Sequence, residues 1–158
     1  MSVLIQGDQL RTILLGTPVS KATGTVANGT TTLFTITGGR VLVTSLVGRV
    51  TTLIGATTAT CKLTYNPTAA GTSFDMCTAV SIETDAVEQT YYIAGNVASP
   101  GALLVGGAVG QANPVFTAPY LLQAGTIEQI LSADPVGGAI TWTLTYVPYD
   151  NGASVAAA

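Results

Sequence analysis

Ile140-Thr141-Trp142-Thr143-Leu144-Thr145-Tyr146 alternates apolar residues with threonine along its whole length. Successive side chains of an extended chain leave opposite faces, so Ile140, Trp142, Leu144 and Tyr146 share one side and three threonines the other. Such a strand has a core face and a hydroxyl-bearing solvent face, as in an antiparallel sheet. Residues 58–65 repeat the design, with Ala59, Cys61, Leu63 and Tyr65 opposed to Thr58, Thr60, Lys62 and Thr64.

Outward from these runs, β-branched and aromatic residues predict further strands over 31–37, 41–54, 78–82, 89–94, 115–122 and 126–131. The 41–54 run is long for one strand. Its Gly48 predicts a bulge or bend, and the spacing Leu42, Leu46, Val50, Ile54 predicts one inward side. Turn signals separate the runs at Asn28-Gly29, Gly38-Gly39, Asn66-Pro67, Ala70-Gly71, Ser99-Pro100-Gly101, Ala124-Gly125 and 134–138. Regular punctuation of short strands predicts an all-β chain: an antiparallel β-sandwich or β-barrel, jelly-roll-like, with an N-terminal arm. The length of 158 residues suits one domain over 21–158, with 1–20 as arm or first strand. Residues 7–15 are the best helix candidate, but Gly7 and Gly16 flank them and Thr12-Ile13 is β-branched, so no helix is expected. The glycine-rich stretch 95–113 reads as a long loop.

Only 8% of the residues are charged, against roughly 25% in ordinary soluble domains. The surface is therefore largely neutral, and so little charge does little to keep copies apart. A self-associating or docked subunit is expected. Apolar runs stay shorter than eight residues, so the mean hydropathy of +0.51 does not mark a membrane span, which needs about 18–20. Residues 1–62 carry five basic residues against one acid, a net +4, whereas 63–158 carry seven acids and no base. That asymmetry suits docking between subunits. Five dispersed cations in a chain of net charge −3 do not make a phosphate-binding face, so nucleic acid is not an expected partner. The opening MSVLIQGDQL lacks the basic and apolar regions of a signal peptide, which points to synthesis and use in a cytoplasm. Cys61 and Cys77 match no zinc spacing and are expected as buried thiols.

Enzymatic chemistry finds little to work with. Histidine is absent, so the ordinary proton shuttle near neutral pH is missing, and no nucleophile–base set or cofactor motif is present. Glu83, Asp85 and Glu88 are the best carboxylate group for a cation, but the spacing is that of a solvated turn rather than a calcium loop. Gly106-Gly107-Ala108-Val109-Gly110 lacks the following Lys-Ser/Thr of a phosphate cradle. Asn28-Gly29-Thr30 reads as a hairpin turn rather than a glycosylation acceptor. No catalytic, cofactor or metal residues are assigned, and no enzyme is expected.

Cys61-Lys62-Leu63-Thr64-Tyr65-Asn66-Pro67-Thr68, Phe74-Asp75-Met76-Cys77, and the tail 140–153 resemble small structural proteins of tailed phages that decorate or cement the capsid. The resemblance covers about half the chain, residues 58–96 and 114–158, and consists of strand and turn patterns. It implies a non-enzymatic virion protein, often trimeric, bound to the capsid exterior where major capsid subunits meet and assembled in the host cytoplasm. The partners expected are the major capsid protein and further copies of the chain, with no membrane. Contacts are expected from Leu10, Arg11, Ile13, Leu14 and Leu15 of the N-terminal segment and from Lys21, Arg40 and Arg49. The alternative is a tail or head-fibre component with a receptor- or carbohydrate-binding domain, using Tyr91, Tyr92, Asn113 and Tyr120.

Overall fold

The computed structural model describes residues 7–95, 101–107 and 115–158; of the side chains within these, Asp8, Arg11 and 115–117 are not described. Each alternating run forms a strand. In chain order these are β1 (Thr17–Thr25), β2 (Gly29–Thr37), β3 (Val41–Thr52), β4 (Thr60–Pro67), β5 (Phe74–Asp75), β6 (Val80–Ser81), β7 (Thr90–Tyr92), β8 (Leu104–Gly106), β9 (Val115–Leu122), β10 (Gly125–Leu131), β11 (Ala139–Pro148) and β12 (Ser154–Ala157). They make two six-stranded antiparallel sheets packed face to face as a β-sandwich. In β11, Ile140, Trp142 and Leu144 are fully buried while Thr141, Thr143 and Thr145 face outward, as the alternation predicts.

One sheet runs β1-β11-β3 and continues along the far edge of β3 with β9 at one end and β7-β8 at the other; the second runs β12-β2-β10-β4, with β5 and β6 beside β4. Setting aside β6–β8 and β12, eight strands remain, and the pairs are first with eighth, second with seventh, third with sixth and fourth with fifth. That is one long hairpin folded back on itself and wrapped around a core, the jelly-roll arrangement of two sheets. Most turns therefore carry the chain from one sheet to the other. Asn28-Gly29 is such a crossing: β1 and β2 lie in different sheets, so the hairpin expected there does not form.

The core is aliphatic and aromatic, with Phe34, Leu46, Leu63, Ile127 and Trp142 among its fully buried members. Gly48 sits in register between Trp142 on β11 and Tyr91 on β7. A Cβ there would come within 2.8 Å of the indole, and the Trp142 and Tyr91 rings stack with centroids 6.2 Å apart. Gly48 thus makes room for two aromatic rings and is not a bulge. The bulges of β3 fall at Thr44 and Thr51, each skipped in the pairing with β11. Because of the Thr44 bulge, Val41 and Val43 point inward and Leu42 outward, which corrects the expected inward row from Leu42 to Ile54.

The N-terminal segment also differs from expectation. Residues Gly7–Leu15 form a helix, α1. Gly16, expected to break it, caps it instead: at φ +95° its N–H donates to the Thr12 carbonyl at 3.0 Å, closing the last turn through a left-handed residue. The sheet begins directly afterwards at Thr17, with Pro18 on an edge strand where its missing N–H costs no ladder bond. Two expected strands shrink, 78–82 to Val80–Ser81 and 89–94 to Thr90–Tyr92.

Candidate docking surface

The carboxylates that could have gathered a cation have separate partners. Glu83 accepts from the Thr58 hydroxyl at 3.0 Å, Glu88 pairs with Arg49 at 3.0 Å, and Asp85 accepts from Gln89 Nε2 at 2.8 Å and from the Tyr91 hydroxyl. Among the described residues no group of three or more acids, cysteines or histidines could hold a metal ion. Cys61 and Cys77 are free and buried. Burial pushes the Cys61 thiol up and raises Cys77 to about 11, although the Leu63 N–H donated to Cys77 Sγ works in the opposite direction. Neither thiol is activated as a nucleophile.

The basic residues expected to reach a partner are largely occupied within the chain. Lys21 Nζ donates to the Ala158 carbonyl, and Arg49, toward the opposite end of the sandwich from α1, is held by Glu88. Arg40 donates Nη2 and Nε to the two oxygens of Asp150, at 2.8 and 2.9 Å, and its guanidinium lies 4.8 Å from the centre of the Tyr149 ring. These hydrogen bonds raise the Arg40 pKa and hold the Asp150 carboxyl below its ordinary range. The side chain of Arg11 lies outside those described. Arg40 and Tyr149 lie where β3 begins and β11 ends, whereas Lys21 and Arg49 lie farther along β1 and β3, opposite Trp142 and Thr141 of β11.

At that end the apolar side chains converge. Leu10, Ile13, Leu14 and Leu15 of α1 are 49–72% exposed. The root of the helix is fixed by the Thr44 hydroxyl, which donates to the Leu15 carbonyl at 2.9 Å, and by the close seat of Gly16 on Tyr146 and Val147. From there an apolar row crosses the outside of the sheet: Val147 on β11 faces Leu42 on β3, which faces Leu121 on β9. Val147 and Leu121 are exposed, as is Tyr149 just beyond. The row was not legible in sequence, because Leu42 turns outward only through the Thr44 bulge and the three residues meet only through pairing.

Leu121 also walls a cleft of about 310 Å³, shared with Tyr65, Pro67, Thr72, Phe74 and Gln123. Its floor is ordered by rings and one hydrogen bond. Phe74 packs between Tyr65 and Tyr120 at 5.4 and 6.2 Å, and the Tyr65 hydroxyl donates to the Gln123 carbonyl at 3.1 Å. Among the described residues no charged side chain lines it.

The tyrosines expected to stack on a receptor or sugar are placed otherwise. Tyr91 and Tyr120 are buried, at 0% and 1% exposure, and their hydroxyls bond to Asp85 and to the Met76 carbonyl. Their rings belong to the core, which removes both from any external contact. Tyr92 is half-buried on β7, and Asn113 lies outside the described residues. No family model, no curated protein and no solved structure matches the chain.

Proposed function

We propose that the chain is a non-enzymatic structural subunit of a phage virion that docks on the outside of the capsid and reinforces contacts between major capsid subunits. The observation that carries this reading is the set of exposed apolar side chains on α1 together with the Val147–Leu42–Leu121 row on the outside of a neutral, threonine-faced sandwich. Large exposed apolar patches mark contact sites, and Tyr149 with its braced Arg40 adds the residue types that dominate interface energies. The jelly roll is an architecture used by capsid and lectin domains alike, so it admits the role without assigning it.

Magnitudes favour attachment to a lattice over a solitary contact. Covering one leucine or isoleucine contributes about 1.5–3 kcal/mol when complete. Four such residues, already partly covered on α1, yield roughly 4–8 kcal/mol. Association alone costs about 4–15 kcal/mol, so a single contact is marginal. Subunits linked to one another over a repeating shell turn later contacts into intramolecular ones and bind through the sum.

The test is co-sedimentation of the purified protein with empty capsids of its own phage. The native chain is expected to pellet with shells. Leu42→Lys, which places a charge in the middle of the outer row, is expected to reduce bound protein at least tenfold with the thermal midpoint unchanged. A native chain that stays in the supernatant at every shell concentration overturns the reading.

A further inference from the structure

Cys61 and Cys77 are the two cysteines of the chain, and both are fully buried. The ladder beside β4 brings them together. Asp75 pairs with Thr64, and the Met76 N–H donates to the Leu63 carbonyl at 2.8 Å, so the next residue, Cys77, stands opposite Lys62. Met76 is buried, and strict alternation would therefore turn Cys77 outward. Instead Cys77 is buried as well, and its Sγ accepts the Leu63 N–H at 3.3 Å. The phase slips at this point, and Thr78 and Ala79 arch away before Val80 returns opposite Cys61. We infer that Cys61 and Cys77 are a redox pair that closes to a disulfide, stapling β4 to the neighbouring segment, when the chain leaves a reducing compartment and meets a low-molecular-weight disulfide. The inference stands apart from the capsid reading.

Backbone spacing suits the bond. Cys77 lies one strand across from Lys62 and one residue along from Cys61. A strand spacing of about 4.8 Å and a rise of about 3.4 Å per residue put the two cysteine Cα atoms roughly 6 Å apart. Disulfides bridge Cα atoms about 4.4–6.8 Å apart, so closure asks for a turn of the side chains and not for movement of a strand. Cys77 gives up only the Leu63 N–H, for which sulfur is a weak acceptor. With no third cysteine in the chain, no other internal pairing competes.

Access comes through the arch. Thr78 and Ala79 are exposed, and lifting them breaks the two Thr78 bonds to Gly101 and Leu103 without parting β4 from β10. The Cys77 thiolate attacks one sulfur of the reagent, whose S–S bond breaks and releases one thiolate. The Cys61 thiolate then attacks Cys77 Sγ, forms the internal S–S bond and expels the second reagent thiolate. The two cysteine protons pass through solvent to the two released thiolates. Two electrons have then left the cysteines, and one reagent disulfide has been reduced to two thiols. Burial raises Cys77 to about 11 and Cys61 further still, so Cys77 reacts first and closure in the folded chain is slow. The covalent loop from 61 to 77 restricts the unfolded chain, which makes the oxidised form the more stable one.

Refolding tests the geometry without the barrier of burial. The full chain, unfolded and reduced, is refolded in excess oxidised glutathione. The expected product is a single chain about 2 Da lighter, with no thiol left to alkylate in denaturant and the native near-ultraviolet signal of Trp142. The folded chain in the same reagent is expected to reach the same product more slowly. Its thermal midpoint rises by roughly 5–10 °C and returns when a reductant is added. Cys77→Ala folds and gives no lighter product. A refolded chain with the native Trp142 signal and both thiols still open to alkylation overturns the inference. So does an oxidised product linked between chains, or one that has lost that signal.

Discussion

Trp142 is the largest fully buried side chain, and its indole N–H donates to Gln129 Oε1 at 2.6 Å. The bond joins the sheets, because Trp142 lies on β11 and Gln129 on β10. Gln129 is one of only two buried polar residues among those described, at 1% exposure, so the pair places a specific side-chain hydrogen bond between the two sheets. Gln129→Leu keeps the volume but strands the indole donor away from water, which is expected to cost about 1–3 kcal/mol. The measurement is a urea midpoint. Adding Trp142→Phe, which removes the stranded donor, is expected to recover part of the loss; a double variant that shows no coupling sinks this account. The glutamine was hidden in the sequence because a polar residue in a strand reads as outward until its register is known. Cys61, Leu63, Ile140 and Leu144 are buried as their alternation predicts.

At the scale of elements, the decisive devices are a cap and a bulge. Gly16 reads as a helix breaker in sequence because glycine disfavours helix interiors, yet one position past the end the same freedom completes the helix. At Thr44 the extra residue changes which face of β3 looks inward, and nothing in a run of Val, Leu and Thr marks where the phase slips. Deleting Thr44 removes the one residue that the pairing skips at this point, so Ser45 and Val43 stay opposite Thr145 and Tyr146, Leu42 stays outward, and Val41 and Val43 stay inward. The expected outcome is a cooperatively folded chain whose helix root, without the Thr44 hydroxyl on the Leu15 carbonyl, is cut faster by protease. A Thr44 deletion that loses cooperative unfolding would show that the sheet needs the bulge itself.

For the whole molecule, stability follows pH through groups at both ends of the scale. Asp75 is held below its ordinary range, first by the hydrogen bond from Lys62, and Asp150 likewise by Arg40. A carboxylate with a depressed folded pKa contributes stability above its unfolded pKa, about 3.9, and loses it as pH falls through the lower folded value. The thiols behave oppositely. Cys77, raised to about 11, contributes fully below the unfolded value of about 8.5 and loses that contribution as pH rises toward 11. Cys61 and the Tyr91 phenol are shifted in the same direction. The thermal midpoint is therefore expected to be flat from about pH 5 to 8 and to fall on both sides. Asp75→Asn and Asp150→Asn together should flatten the acid limb; a limb that stays unchanged in this double variant would assign acid loss to other groups.

Alternation of apolar residues with threonine determined by itself that the chain is built of strands, which residues of each simple strand face inward, and that so little charge leaves a neutral surface. These properties depend on neighbours one or two residues apart. Tertiary structure alone decided that turns such as Asn28-Gly29 cross between sheets, that Tyr91 and Tyr120 are interior, and that Val147, Leu42 and Leu121 form one row leading from α1 to a cleft. A turn's local chemistry reverses the chain without choosing the sheet it enters, and cross-strand neighbours are chosen by the burial that the whole sandwich gains.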